Sequence, residues 1–130
     1  MICLLISEND RIQIKESALF LKRNDFSISE DEDTIIFTNG KIDIIVSYER
    51  YETISSLYIR FNRQNKVFNI AWIAFIQDGL RSNSNNRLQT ILFLMQYLYQ
   101  HYNKIIEYSY CVESEKLIEQ FIKEKQNSKR

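Results

Sequence analysis

The sequence predicts an α+β domain: an antiparallel β-meander of four or five strands, with an N-terminal helix and two C-terminal helices packed on it. Three observations lead there. Strand-like alternation recurs from Phe26 to Ile76 with only short polar interruptions, so consecutive strands pair antiparallel. Helical spacing is confined to the two ends of the chain, which separates this pattern from an alternating βαβ fold. The chain has no Pro and only two Gly, so its turns depend on Asn, Asp and Ser.

Each element has its own signal. Ser7-Glu8-Asn9-Asp10 reads as a helix start, with Ser as N-cap and acids in the first turn. The helix extends towards Asn24, although Ile12, Ile14, Ala18, Leu19, Phe20 and Leu21 do not form one clean stripe. Asn24-Asp25 ends it. Phe26–Ser29 alternates, the acidic turn Glu30–Asp33 interrupts, and Thr34–Thr38 resumes. Asn39-Gly40 is a hairpin signal of the type I′ kind, which needs positive φ at both central residues. Ile42, Ile44, Val46 and Tyr48 then share one strand face, as do Leu57, Ile59 and Phe61 after the connection at Glu49–Ser55. A polar turn at Asn62–Asn65 leads to the last strand. There Phe68, Ile70, Trp72, Ala74 and Ile76 line one face, and Val67, Ala71, Ile73 and Phe75 the other. That second apolar face suits a central strand covered on both sides, or a partner.

Asn and Ser residues at 82–86 supply the cap for the strongest helix, with Leu88, Ile91, Leu92, Met95, Leu98, Tyr99 and Tyr102 at helical spacing. Phe93, Leu94 and Tyr97 widen its apolar surface. A final helix follows Ser114, with Leu117, Ile118, Phe121 and Ile122 as a narrow stripe. The residues after Lys123 read as a solvated tail. The expected core face joins Ile44, Val46, Leu57, Ile59, Phe61, Ile70 and Trp72, covered by Leu88, Leu92, Met95 and Tyr99.

A chain of 130 residues fits one domain, 1–130, and buries roughly two thirds of the surface it exposes when unfolded. It therefore needs neither a disulfide framework nor a structural metal. At 45% hydrophobic and 26% charged it falls in the globular class, which excludes a disordered one. Two cysteines, Cys3 and Cys111, and a short apolar start at Ile2–Ile6 lead to an expected cytoplasmic location without a signal or membrane segment. Charge sums to zero but is uneven. Residues 24–59 hold eight acids against Lys41 and Arg50, a balance of −6, and residues 60–104 hold six bases against Asp78, a balance of +5. Such polarity can steer a charged partner.

The search for chemistry ends in expected absences: no enzyme, no cofactor, no metal. His101 is the single histidine, and Cys111 is the nucleophile it could serve, but no orienting third group follows from the spacing. Glu30–Asp33 lacks the spaced oxygens and mid-loop Gly of a calcium loop. Neither Gly has partners at a nucleotide-binding spacing. Tyr58-Ile59-Arg60-Phe61-Asn62-Arg63 interleaves aromatics with bases, as single-strand nucleic-acid sites do. However, Tyr58 and Arg60 share a face while Phe61 points away, so nucleic acid is the less favoured partner.

At Tyr48–Tyr51, at Phe68-Asn69-Ile70-Ala71-Trp72-Ile73 and at Leu92–Tyr102 the chain resembles small bacterial immunity-type proteins of polymorphic toxin systems. The resemblance covers size, element order and texture over most of the chain. It implies a module that binds and neutralises a cognate toxin without catalysis. The eight Tyr residues suit an interface, since Tyr combines area with a hydrogen-bonding tip. The acidic segment suits a basic partner. A homodimeric structural or regulatory protein is the alternative. The binding face expected from loop position and polarity consists of Glu30, Asp31, Glu32, Asp33, Tyr48, Glu49, Tyr51 and Glu52, with Tyr48 and Tyr51 as anchors.

Overall fold

In the computed structural model the described residues are 5–49 and 55–128. Five strands, β1 (Ser27–Glu30), β2 (Thr34–Thr38), β3 (Ile42–Tyr48), β4 (Ser55–Phe61) and β5 (Lys66–Asn69), form one sheet in sequence order, each antiparallel to the next. This is the expected meander. Helices α1 (Glu8–Ser17) and α2 (Leu19–Arg23) precede it. Helices α3 (Ile70–Asp78), α4 (Arg87–Gln100), α5 (Tyr102–Ile105) and α6 (Tyr108–Asn127) follow.

The pleat sorts side chains cleanly. Ile35, Phe37, Ile44, Val46, Leu57, Ile59, Phe61 and Phe68 all point to one face and are buried. The register stacks them across strands, as in Ile35↔Val46↔Leu57 and Phe37↔Ile44↔Ile59↔Phe68. Helix residues Ile14, Leu21, Ile73, Ile91, Met95 and Leu98 close the core from above.

The first helical segment divides at Ala18, whose φ of −103° and ψ of 15° leave the helical range. The division explains the missing single stripe: Ile14 faces the core from α1, and after the reset Phe20 and Leu21 face it from α2. Ser7 caps α1 as expected, accepting from the Asp10 N–H at 3.2 Å. The hairpin after β2 differs from type I′. Its central residues are Gly40 and Lys41, and positive φ falls on Gly40 (88°) and not on Asn39. Asn39 acts through its side chain instead, Oδ1 accepting from the N–H of Lys41 at 2.9 Å and of Ile42 at 2.8 Å. That is an Asx turn.

The largest correction concerns Ile70–Ile76. The expected long last strand stops at Asn69, and a helix begins. Asn69 is its N-cap, Oδ1 accepting from the Ala71 N–H at 2.9 Å. Ile70, Ile73 and Ala74 are the buried positions, a spacing of three and four residues. An unbroken apolar run does not distinguish strand from helix by periodicity, and here the capping chemistry decides. Trp72 is therefore not in the core; it is 41% exposed on the outer side of α3. The second apolar strand face expected at Ile73 and Phe75 does not exist, because Ile73 is buried beneath the helix. Gly79 ends α3 in the left-handed conformation, φ 66°. A Cβ there meets nothing within 4 Å, so Gly79→Ala should lose only the backbone term, about 1 kcal/mol. A thermal or urea unfolding curve identical to the parent's would contradict the cap.

Two smaller corrections follow at the C-terminal end. Tyr99 is 57% exposed and packs edge-on against Phe20 at 5.2 Å, whereas Leu94 and Tyr97 take buried places on α4. The last helix starts at Tyr108 rather than after Ser114, and it continues past Lys123 to Asn127. Its cap residue Glu107 makes no side-chain bond, so no N-cap signal marks the start. Ser114 is buried within the helix, its hydroxyl donating to the Tyr110 carbonyl. No helix is long and apolar enough to cross a membrane, among the described residues.

Candidate protein-docking surface

The acidic turn and the end of β3 meet at one end of the sheet. The Tyr48 N–H donates to the Asp33 carbonyl at 2.9 Å. The expected cluster Glu30, Asp31, Glu32, Asp33, Tyr48 and Glu49 is thus brought together. Tyr51 and Glu52 lie outside the described residues.

What holds the turn was not expected. Arg11, buried on α1, reaches into it with its whole guanidinium. Nη2 donates to the Asp31 and Glu32 carbonyls at 2.6 and 3.0 Å, Nε to the Ile6 carbonyl at 2.9 Å, and Nη1 to Glu30 Oε1 at 3.1 Å. Lys15 donates to the other Glu30 oxygen at 2.7 Å. The Lys15 hydrogen bond leads in holding the Glu30 carboxyl below its ordinary value; desolvation opposes it and Arg11 adds to it. Glu30 thereby serves the fold. An arginine in a helical stretch of mixed polarity carries no sequence signal for such a role.

Tyr48 is also committed inward. Its ring is buried, its hydroxyl donates to Asp10 Oδ2 at 3.1 Å, and burial together with the Asp10 charge pushes its pKa up. It offers no accessible anchor area. Glu49 is exposed, and its carbonyl accepts from Arg87 Nη2 at 2.8 Å.

The opposite face of the sheet is different. The register places Ile36, Ile45 and Tyr58 side by side across β2, β3 and β4, with Asn69 of β5 next to Tyr58. These three large side chains are half-buried and lie outside the buried core cluster. The described helices pack on the core face or at the β5 edge, so among the described residues this row is the centre of an open surface. Thr34, Ser47 and Ser56 form a parallel polar row towards the acidic end. On the other flank Arg60 is tied to Asp43: Nε donates to Oδ2 at 2.9 Å, and Asn62 donates to Oδ1 at 3.2 Å. Desolvation raises the Asp43 pKa, but hydrogen bonds from Thr38, Arg60 and Asn62 outweigh it and hold the carboxylate ionised. Arg60 is thus engaged within the protein rather than presented to a phosphate. The expected shared face of Tyr58 and Arg60 is correct, and Phe61 is in the core.

Trp72 borders this face where β5 passes into α3. A groove of about 390 Å³ lies beside it, lined by Ser55, Ser56, Asn69, Ala71, Trp72, Phe75 and Arg81. A narrower one of about 170 Å³ separates Trp72 from Glu115 and Ile118 of α6. Glu115 is also paired with Lys66 at 3.1 Å. The sequence did hold a signal for the row: Ile36 and Ile45 fall on the polar phase of strands whose other phase fills the core. Strand periodicity places Trp72 in the core, and only the turn into α3 brings it to this border.

Elsewhere the chemistry is weak. Cys111 is fully buried, its Sγ donating to the Ile105 carbonyl at 3.2 Å, and burial pushes the thiol up to about 12. A reactive thiolate needs the opposite shift. His101 stacks near Tyr97, ring centroids 4.4 Å apart, and its Nε2 is 3.9 Å from Asp78 Oδ2. No group of three or more His, Cys, Asp or Glu residues is placed to hold a metal, among the described residues. Comparison with protein-family models, curated proteins and solved structures gave no match.

Proposed function

We propose that this chain is a non-catalytic protein-binding module whose docking surface is the uncovered sheet face. The row Ile36, Ile45 and Tyr58 carries the reading. A contiguous apolar and aromatic strip with polar neighbours has the make-up of an interface centre and rim. It is built on central strands, so it is presented rigidly and loses little entropy on binding. The acidic turn Glu30–Asp33 and Glu49 stand at one end of it, where they would guide a basic partner into register. Cys111, the nucleophile the sequence offers, is buried, which supports a binding rather than a catalytic role.

The resemblance to immunity-type proteins makes that partner a toxin, neutralised by occlusion in the cytoplasm. A second copy of the chain is the competing occupant of the same face. Light scattering on the purified protein, with a tagged pull-down from its native lysate, tests the reading. The expected result is a monomer that retains a distinct protein, which is lost on Ile45→Lys. A dimer that falls apart on Ile45→Lys would assign the face to self-association instead.

A further inference from the structure

The groove beside Trp72 has one charged lining residue, Arg81. Its guanidinium lies over the Phe75 ring, Cζ 4.3 Å from the centroid. Among the described residues Arg81 makes no ion pair. A guanidinium packed on a ring still presents N–H donors at its edge, and that fork matches the two oxygens of a carboxylate. The aromatic walls stand beside it, Trp72 and Phe75 edge to face at 6.0 Å. On the opposite side Asn69 spends its Oδ1 on the Ala71 N–H, which leaves the amide NH₂ as its free group. The groove therefore combines an apolar slot with hydrogen-bond donors and a single cation. Such a lining is complementary to an apolar side chain flanked by acceptors and negative charge.

We infer that this groove binds an acidic peptide segment of the partner, with an apolar side chain against Trp72 and Phe75 and a neighbouring carboxylate on Arg81. The inference rests on the protein-binding reading above and names the chemistry of one flank of that surface. Ser56 and Asn69 belong both to the groove and to the open sheet face, so the two are continuous. The docking surface is then bipolar: acids at the β1–β2 turn, a cation at the α3 side.

Trp72 is the only tryptophan of the chain, so its emission reports on the groove. The test titrates the full chain with a capped hexapeptide carrying a central Phe between Glu residues. Two counterparts replace every Glu by Gln or by Lys. The acidic peptide should shift Trp72 emission saturably, at least about tenfold tighter than either counterpart, as expected for one charge-assisted pair. Arg81→Gln, at an exposed position, should keep the unfolding midpoint and remove that preference. Three outcomes would overturn the inference: no saturable change at millimolar acidic peptide, equal binding of the Gln or Lys peptide, or an acid preference that survives Arg81→Gln. Partner binding to the Ile45 face is measured separately, so failure here leaves that reading standing.

Discussion

Arg11→Ala should destabilise the protein by about 2–4 kcal/mol, mostly the cost of taking donors from main-chain carbonyls, since Glu30 stays partly exposed beside Lys15. Arg11 is 4% exposed and donates to three main-chain carbonyls and the Glu30 carboxylate. Its removal takes a donor from the carbonyls of Ile6, Asp31 and Glu32, the last keeping the Ile6 N–H, and leaves Glu30 held by Lys15 alone. Arg11→Lys should recover little, because a single ammonium cannot span acceptors that the planar fork reaches from several nitrogens. Urea unfolding decides the matter. A loss below about 1 kcal/mol for Arg11→Ala, the range of ordinary surface changes, would contradict the network's role.

The adjacent pair Ile91 and Leu92 tests how α4 faces the sheet. Ile91 is completely buried and Leu92 only partly so, at the margin of the core. Ile91→Ala should cost about 2–5 kcal/mol, with both lost transfer energy and a cavity. Leu92→Ala should fall below it, since its surroundings can relax and water can enter. Equal losses, or a larger loss at Leu92, would mean that α4 is rotated about its axis relative to this description.

The legible part of the fold is the part in which local chemistry and global pattern agree. The alternation Ile42-Ile44-Val46-Tyr48 and Leu57-Ile59-Phe61 marks the core face, and the register keeps these residues together. Ser7 and Asn86 cap the helices where polar residues precede helical spacing. The stretch after Asn69 was not legible from periodicity, because nine residues rich in Ile, Ala, Phe and Trp fit a buried strand and a packed helix equally well. Asn69 as cap and Gly79 as terminator were the deciding residues, and both look like ordinary turn signals in isolation. The candidate site divides the same way. Proximity of the acidic turn to Tyr48 follows from the hairpin order, and its inward direction from its phase with Ile44 and Val46; its hydroxyl's partner Asp10, thirty-eight residues away, leaves no such trace. Long-range pairs such as Arg11 with the 30–32 turn leave no periodic trace. The open row at Ile36, Ile45 and Tyr58 could have been read from its phase. Polarity and loop position point instead to the β1–β2 turn, because half-buried Ile and Tyr on central strands carry the same residue types as a core.

The central claim is that a protein docks on the uncovered sheet face, and calorimetric titration of the copurified partner tests it most directly. The partner is titrated into the parent protein, Ile45→Lys and Tyr58→Ala, with unfolding midpoints measured alongside. Burying an unpaired Lys at the centre of the interface should weaken binding by roughly 100-fold, in line with loss of a dominant contact. Tyr58→Ala should weaken it by about tenfold or more, and both variants should remain folded. Parent-like affinity in both folded variants would contradict the claim and move the interface off this face.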